Sequence, residues 1–125
     1  MSAPHPEITI VGASLAGLTL ALACVARGVP AHVVERSAGH VHGGDSLSID
    51  LALVAAATGH DPRQPPVLPV VPAYRELTTW PALYAWLRER AIATPGIVLE
   101  EGKTVASITD LGDRARITFA DGKSI

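Results

Sequence analysis

The sequence predicts an α/β fold in which a parallel strand–helix–strand unit is followed by antiparallel strands. Three observations carry this. A short β-branched run at residues 7–11 ends in a glycine turn. A stretch of helix formers leads from that turn to Gly28, with a second apolar run directly after it. The C-terminal third alternates apolar and polar residues around further glycine turns.

Residues 7–11 read as a first strand, of the kind buried on both faces in a parallel sheet. Residues 15–27 are rich in Leu and Ala and apolar nearly all round, so this helix is expected to be buried, with Gly28 as its C′ glycine. Residues 31–35 form a second strand, and the short link 28–30 sets it parallel to the first through a right-handed crossover. Residues 36–48 are polar and glycine-bearing and read as a loop. A helix is expected over 49–58, ended by Gly59. Five of the ten prolines fall in 60–73, which reads as a surface excursion or linker.

Thr79 then caps a helix with Pro81 in its first turn. Leu83, Tyr84, Leu87 and Ala91 recur there at helical spacing, opposite Arg88 and Glu89. Pro95-Gly96 ends that helix, and residues 97–100 form a short strand. Residues 104–109 and 114–120 make a hairpin around Leu111-Gly112-Asp113. Asp121-Gly122 announces another turn, with only Lys123, Ser124 and Ile125 after it, too few for the strand of a completed meander. The expected organisation is a strand–helix–strand unit over 1–60, a proline-rich excursion over 60–76, and a helix with a β-meander over 77–125. The sequence is expected to be the front part of a longer protein.

Composition narrows the function. A chain of 125 residues supports one modest core. Ten Lys and Arg are scattered and outnumbered by twelve Asp and Glu, so no basic face for nucleic acid or an anionic membrane is expected. The single cysteine, Cys24, allows no intrachain disulfide and lies in an apolar run, where packing rather than reactivity is expected. The uncharged run 8–26 has the length of a membrane span, but glycines and a serine interrupt it, its first residues read as a strand, and no Lys or Arg precedes it. A cytoplasmic location is the default expectation.

Between the first strand and helix lies Gly12-Ala13-Ser14-Leu15-Ala16-Gly17, which fits the dinucleotide fingerprint G-x-G-x-x-G with Ser14 in place of the second glycine. Gly12 permits the tight turn, and Gly17 lets helix and strand approach closely. A small hydroxyl at position 14 approaches a pyrophosphate nearly as closely as glycine and offers it a hydrogen bond. The helix N-terminus adds free N–H groups and partial positive charge. Glu35 closes the second strand about twenty positions past Gly12, where a carboxylate hydrogen-bonds an adenosine ribose diol. It would repel a 2′-phosphate, which disfavours NADP at this site despite Arg36 and leaves FAD and NAD open.

Other readings of these residues are weaker. Ser14 lacks the G-x-S-x-G spacing of a nucleophile elbow, and His60 and Asp61 alone make no triad. His40, His42 and Asp45 sit close enough to suggest a metal, yet alternate residues in a glycine loop are usually solvated. Trp80, Tyr84 and Trp86 suggest an aromatic ligand box, although core packing accounts better for that spacing.

The glycine turn, Glu35-Arg36, the helix opened by Thr79-Trp80-Pro81 and the Phe119-Ala120-Asp121-Gly122 turn together resemble the N-terminal part of FAD-dependent aromatic-ring monooxygenases, of the para-hydroxybenzoate hydroxylase type. The resemblance runs almost end to end. It implies an FAD-binding, Rossmann-like βαβ unit with an antiparallel β-meander. It also implies contacts to FAD from Gly12, Ser14, Leu15, Ala16, Gly17, Glu35 and Arg36, with backbone groups of Val105 flanking the adenine. NAD(P)H would be the electron donor and a small aromatic molecule the substrate. Where the family commonly places Arg or Gln at the start of its third helix, this chain has Trp80, and the stretch 43–46 lacks the arginine usual after the second strand. The family's later Gly-Ala-Asp-Gly motif does not occur in these residues, Asp121-Gly122 being a hairpin turn, so the fragment is expected to be inactive by itself and no catalytic residue is assigned. The alternatives are a non-catalytic dinucleotide-binding module and an NAD-binding dehydrogenase domain.

Overall fold

The computed structural model describes residues 7–38, 46–60 and 77–125. β1 (Ile8–Val11), β2 (Ala31–Val34) and a later strand, β5 (Ile97–Glu100), form a three-stranded sheet in the order β1-β2-β5. Both pairings are parallel, with Ile10 opposite Val33 and Val33 opposite Leu99. α1 (Leu15–Ala26) connects β1 to β2, as the crossover between parallel neighbours requires. Gly28 follows it at φ +82°, a conformation that glycine adopts without steric cost.

One face of this sheet carries the core. Ile10, Ala31 and Val33 point to the side where Leu18, Ala21 and Leu22 of α1 meet α3 (Trp80–Ala93) through Leu83, Tyr84, Leu87 and Ala91. Each large apolar side chain buried here contributes roughly 1.5–3 kcal/mol. Thr79 starts α3 by accepting a hydrogen bond from the Ala82 amide at 3.3 Å, and Pro81 follows in the first turn, where its missing N–H costs nothing. Arg88 reaches from α3 to Glu101 at 2.7 Å, tying the helix to the chain just beyond β5. Cys24 packs partly buried against the core.

On the opposite face, the hairpin of β6 (Val105–Asp110) and β7 (Ala115–Phe119) covers only the Val34 end, with Ile117, Phe119 and the half-buried Val105 packed on Val34. His32 lies on that same face between Glu7, at 3.6 Å, and Glu100, at 3.5 Å. Val98 beside it is 54% exposed.

Several expectations need correction. β1 is not buried on both faces. Among the described strands it borders the sheet, and Val11 is 52% exposed, because the hairpin covers β2 rather than β1. α1 is not buried all round either, since Leu20 is 49% exposed on the side away from sheet and helices. The predicted loop 36–48 ends in a strand, β3 (Ser46–Ser48), paired antiparallel with β4 (Leu77–Thr79), so Ser46 faces Thr79. The second helix begins later than predicted, as α2 (Leu51–Thr58), because the Asp50 carboxylate accepts from the Leu53 amide at 3.0 Å and becomes its N-cap. Gly59 ends it at φ +72°, as expected.

The C-terminal residues make a single bridge, Thr118 to Ser124, with two hydrogen bonds between Ile117 and Ile125, rather than a third strand. The proline-rich stretch from 61 onward and the His40, His42 and Asp45 cluster lie outside the described residues. Among the described residues no group of His, Cys, Asp and Glu is arranged to hold a metal. No helix among them is long and apolar enough to cross a membrane.

Candidate functional site

The end of β1 and the end of β2 meet at the glycine turn. Gly12 leaves β1 at φ +104° and its amide donates to the Val34 carbonyl at 2.8 Å. Nothing lies within 4 Å of a Cβ placed on Gly12, so the requirement there is the backbone angle. Gly17 is constrained in the opposite way. A Cβ on Gly17 would overlap the Gly12 carbonyl oxygen, so close packing of α1 on the turn demands a residue without one. Both roles expected of these glycines are met.

Ser14 is the N-cap of α1, but its hydroxyl makes no capping bond and is exposed. Leu18 is the first helical amide bonded back to Ser14, at 3.0 Å, so the amides of the first turn point beyond the helix end, and no acidic side chain occupies that turn. Leu15 and Ala16 lie within this turn. Leu15 packs partly on the core, so what it and Ala16 offer a ligand is backbone N–H rather than side chain.

Glu35 stands immediately after β2 and spans the turn. One carboxylate oxygen accepts from the Ala13 amide at 2.7 Å and the other from the Ser37 amide at 3.0 Å. Burial pushes the carboxyl pKa up, but the hydrogen bonds from the Ser37, Ala13 and Arg36 amides and the Arg36 charge outweigh it. The group is held below its ordinary value. Glu35 is thus ionised, fixed in direction, and still carries lone pairs for further donors.

Two adjoining clefts open from this turn and share Gly12, Glu35 and Arg36. The first, about 290 Å³, adds Val11, Val34, Lys103, Thr104 and Val105. Its outer wall is fastened by main-chain bonds from the Lys103 amide to the Glu35 carbonyl, at 2.8 Å, and from Gly102 to Ser37, at 3.1 Å. A β-bulge between Val105 and Ser107 bends β6 where it leaves this wall. The Lys103 ammonium lies over the Phe119 ring, 5.7 Å from its centre, and 3.8 Å from Asp121.

The second cleft, about 350 Å³, is lined by Ala13, Ser14 and Ser37 on one side and by Trp80 and Tyr84 on the other. Burial pushes the Tyr84 phenol pKa up, reinforced by the Glu101 carboxylate, so it stays protonated near neutral pH. A larger groove of about 610 Å³ runs along Tyr84, Arg88 and Ile92. Among the described residues its lining comes from α3 and includes no residue of the glycine turn.

The structure therefore brings Gly12, Glu35 and Arg36 between two adjoining clefts, with Val105 in the first and Ser14 in the second, and Gly17 behind the turn. Nothing in the sequence singles out Lys103, Thr104 and Ser37, and for Trp80 and Tyr84 the spacing favours core packing over an aromatic ligand box. Tyr84 is indeed buried in the core, with Trp80 packed partly against it, yet both also line the second cleft. The place of Trp80 at the very start of the third helix, where the resemblance puts a polar residue, is the signal for its reaching the cleft.

No family model and no curated protein matches the sequence. Solved structures do. A 2,6-dihydroxypyridine-3-hydroxylase from Arthrobacter nicotinovorans superposes with a TM-score of 0.71 at 22% identity, over 99% of this chain and 35% of that one. A tetrameric 2-methyl-3-hydroxypyridine-5-carboxylic acid oxygenase gives 0.70 at 20% identity, over 98% and 38%. PqsL, a probable FAD-dependent monooxygenase from Pseudomonas aeruginosa, gives 0.63 at 16% identity, over 96% and 40%. The chain has the mixed α/β fold found in part of these hydroxylases and oxygenases, the class that the sequence resembles, and spans little more than a third of their length.

Proposed function

We propose that this chain is the FAD-binding portion of a flavin-dependent monooxygenase that hydroxylates a small aromatic substrate with NAD(P)H and dioxygen. The observation that carries the reading is the convergence of a glycine turn, an uncapped helix N-terminus and an oriented carboxylate on the second cleft, the one lined by Gly12, Ser14 and Glu35. Gly12, Ser14 and the first-turn amides through Gly17 would hold the pyrophosphate. Glu35 would accept from the adenosine ribose hydroxyls, with Arg36 beside it and the main chain of Val105 along the adenine.

Bound FAD would supply the redox chemistry, passing electrons from NAD(P)H to dioxygen. The residues of this chain bind and orient the nucleotide. Hydroxylation itself belongs in this reading to a longer protein, and the 125 residues alone are expected to bind without turnover.

Titration of the purified chain with FAD, ADP and NAD, followed by calorimetry and by the flavin absorption band, tests the reading. FAD and ADP are expected to bind at one site, with FAD the tighter, and Glu35→Ala is expected to weaken both by roughly tenfold, the worth of a charge-assisted hydrogen bond. Tight NAD binding without affinity for flavin would replace this reading with that of a dehydrogenase domain.

A further inference from the structure

Trp80 stands where the resemblance leads one to expect a polar side chain, and its surroundings give it a different task. The Thr79 cap and Pro81 fix the first turn of α3, so the root of the indole is held in place. The ring stacks on Tyr84 at 5.2 Å between centres and within 6° of parallel, and Tyr84 is buried. The indole is thereby backed on one face, yet it remains half-buried and lines the cleft that Ser14 enters from the other side.

Resting on the nucleotide reading, the order of groups along the two adjoining clefts follows. Adenosine occupies the Val105 and Glu35 end, and the pyrophosphate lies at Ser14 and the start of α1. Whatever is attached beyond the pyrophosphate enters the cleft walled by Trp80 and Tyr84. That wall offers an aromatic surface and a neutral phenol, and among the described residues Arg36, beside Glu35, is the cation in the cleft's lining. Contact with an extended carbon chain or planar ring is what such a surface recognises.

We propose that Trp80 is a specificity-determining residue, whose indole packs against the group beyond the pyrophosphate and makes the site prefer FAD to the bare adenine nucleotide ADP. The experiment measures FAD and ADP affinities of the full chain by calorimetry, together with quenching of flavin fluorescence, in the wild type, Trp80→Gln and Trp80→Phe. Trp80→Gln is expected to weaken FAD by about tenfold, in the range of one ring-stacking contact, to leave ADP unchanged and to reduce the quenching. Trp80→Phe, which keeps a ring against Tyr84, is expected to fall between the two and serves if the glutamine variant fails to fold.

Equal weakening of both ligands, or no change in either, would make Trp80 part of the scaffold and overturn the proposal. Equal wild-type affinities for FAD and ADP would overturn it while leaving the adenosine site intact. Failure of the wild type to bind either nucleotide would bring down the nucleotide reading and this inference with it.

Discussion

The wall of the cleft formed by β1, α1 and β2 is continuous with the main core, where Leu18, Ala21 and Val33 are fully buried and α1 and α3 pack on the same sheet face. The opposite wall, Lys103 to Val105, leads into a hairpin that rests on the small cluster of Val34, Ile117 and Phe119, with most of its other residues exposed. The glycine turn is therefore joined to the most deeply buried part of the molecule. The hairpin wall has few buried contacts, which predicts that it opens more readily than the core wall.

The largest test of this contrast is at Gly17. Gly17→Val puts side-chain atoms into the Gly12 carbonyl, where backbone rather than a movable side chain must give way. A loss of more than about 3 kcal/mol is expected, seen as collapse of the thermal transition by circular dichroism. Leu18→Ala, in the core wall, is expected to cost about 2–5 kcal/mol in global denaturant unfolding. Phe119→Ala removes a ring of larger area but from the satellite cluster. It is expected to strip hydrogen-exchange protection from β6 and β7 while the β2 amides stay protected. Equal loss of protection in both regions would show that the two walls unfold as one unit.

A smaller effect is expected where the walls meet. Glu35→Gln keeps an acceptor for only one of the Ala13 and Ser37 amides and turns an NH2 donor against the other, at a cost of roughly 1–2 kcal/mol at neutral pH. The folded-state pKa of Glu35 is lowered, so its stabilising contribution is fully present above the ordinary glutamate range and is lost as the pH falls through the depressed value. Urea midpoints measured at falling pH should converge for wild type and variant. A gap that persists or widens in acid would rule out the carboxylate as the source. Least of all, Arg88→Ala breaks a partly exposed ion pair with Glu101 and is expected to shift the urea midpoint by less than about 1 kcal/mol equivalent.

What the sequence shows well is what is local. The Gly12–Gly17 spacing, the Thr79 cap and the positive-φ turn at Gly112 are each decided by a few adjacent residues, and the structure has them where the pattern puts them. The pairing of β3 with β4 was not legible, because three-residue strands have no periodicity and their partners lie about thirty positions apart. Burial of β1 and α1 was overstated, since an apolar run reports what a segment tolerates rather than which neighbours cover it. In the site, the place of Glu35 could be read from its spacing, but its bonds to Ala13 and Ser37 depend on the folded turn. Trp80 reaches the cleft only because α3 packs across α1.

The border position of β1 also governs how the chain will behave at the bench. Ile8-Thr9-Ile10-Val11 is a four-residue, uncharged, β-branched strand whose outer edge is unpaired among the described strands, with Ile8 and Val11 both exposed. Such an edge is a template for another strand. Preparations of these residues will self-associate as they are concentrated, and a lysine introduced at Val11 should raise the concentration at which light scattering sets in.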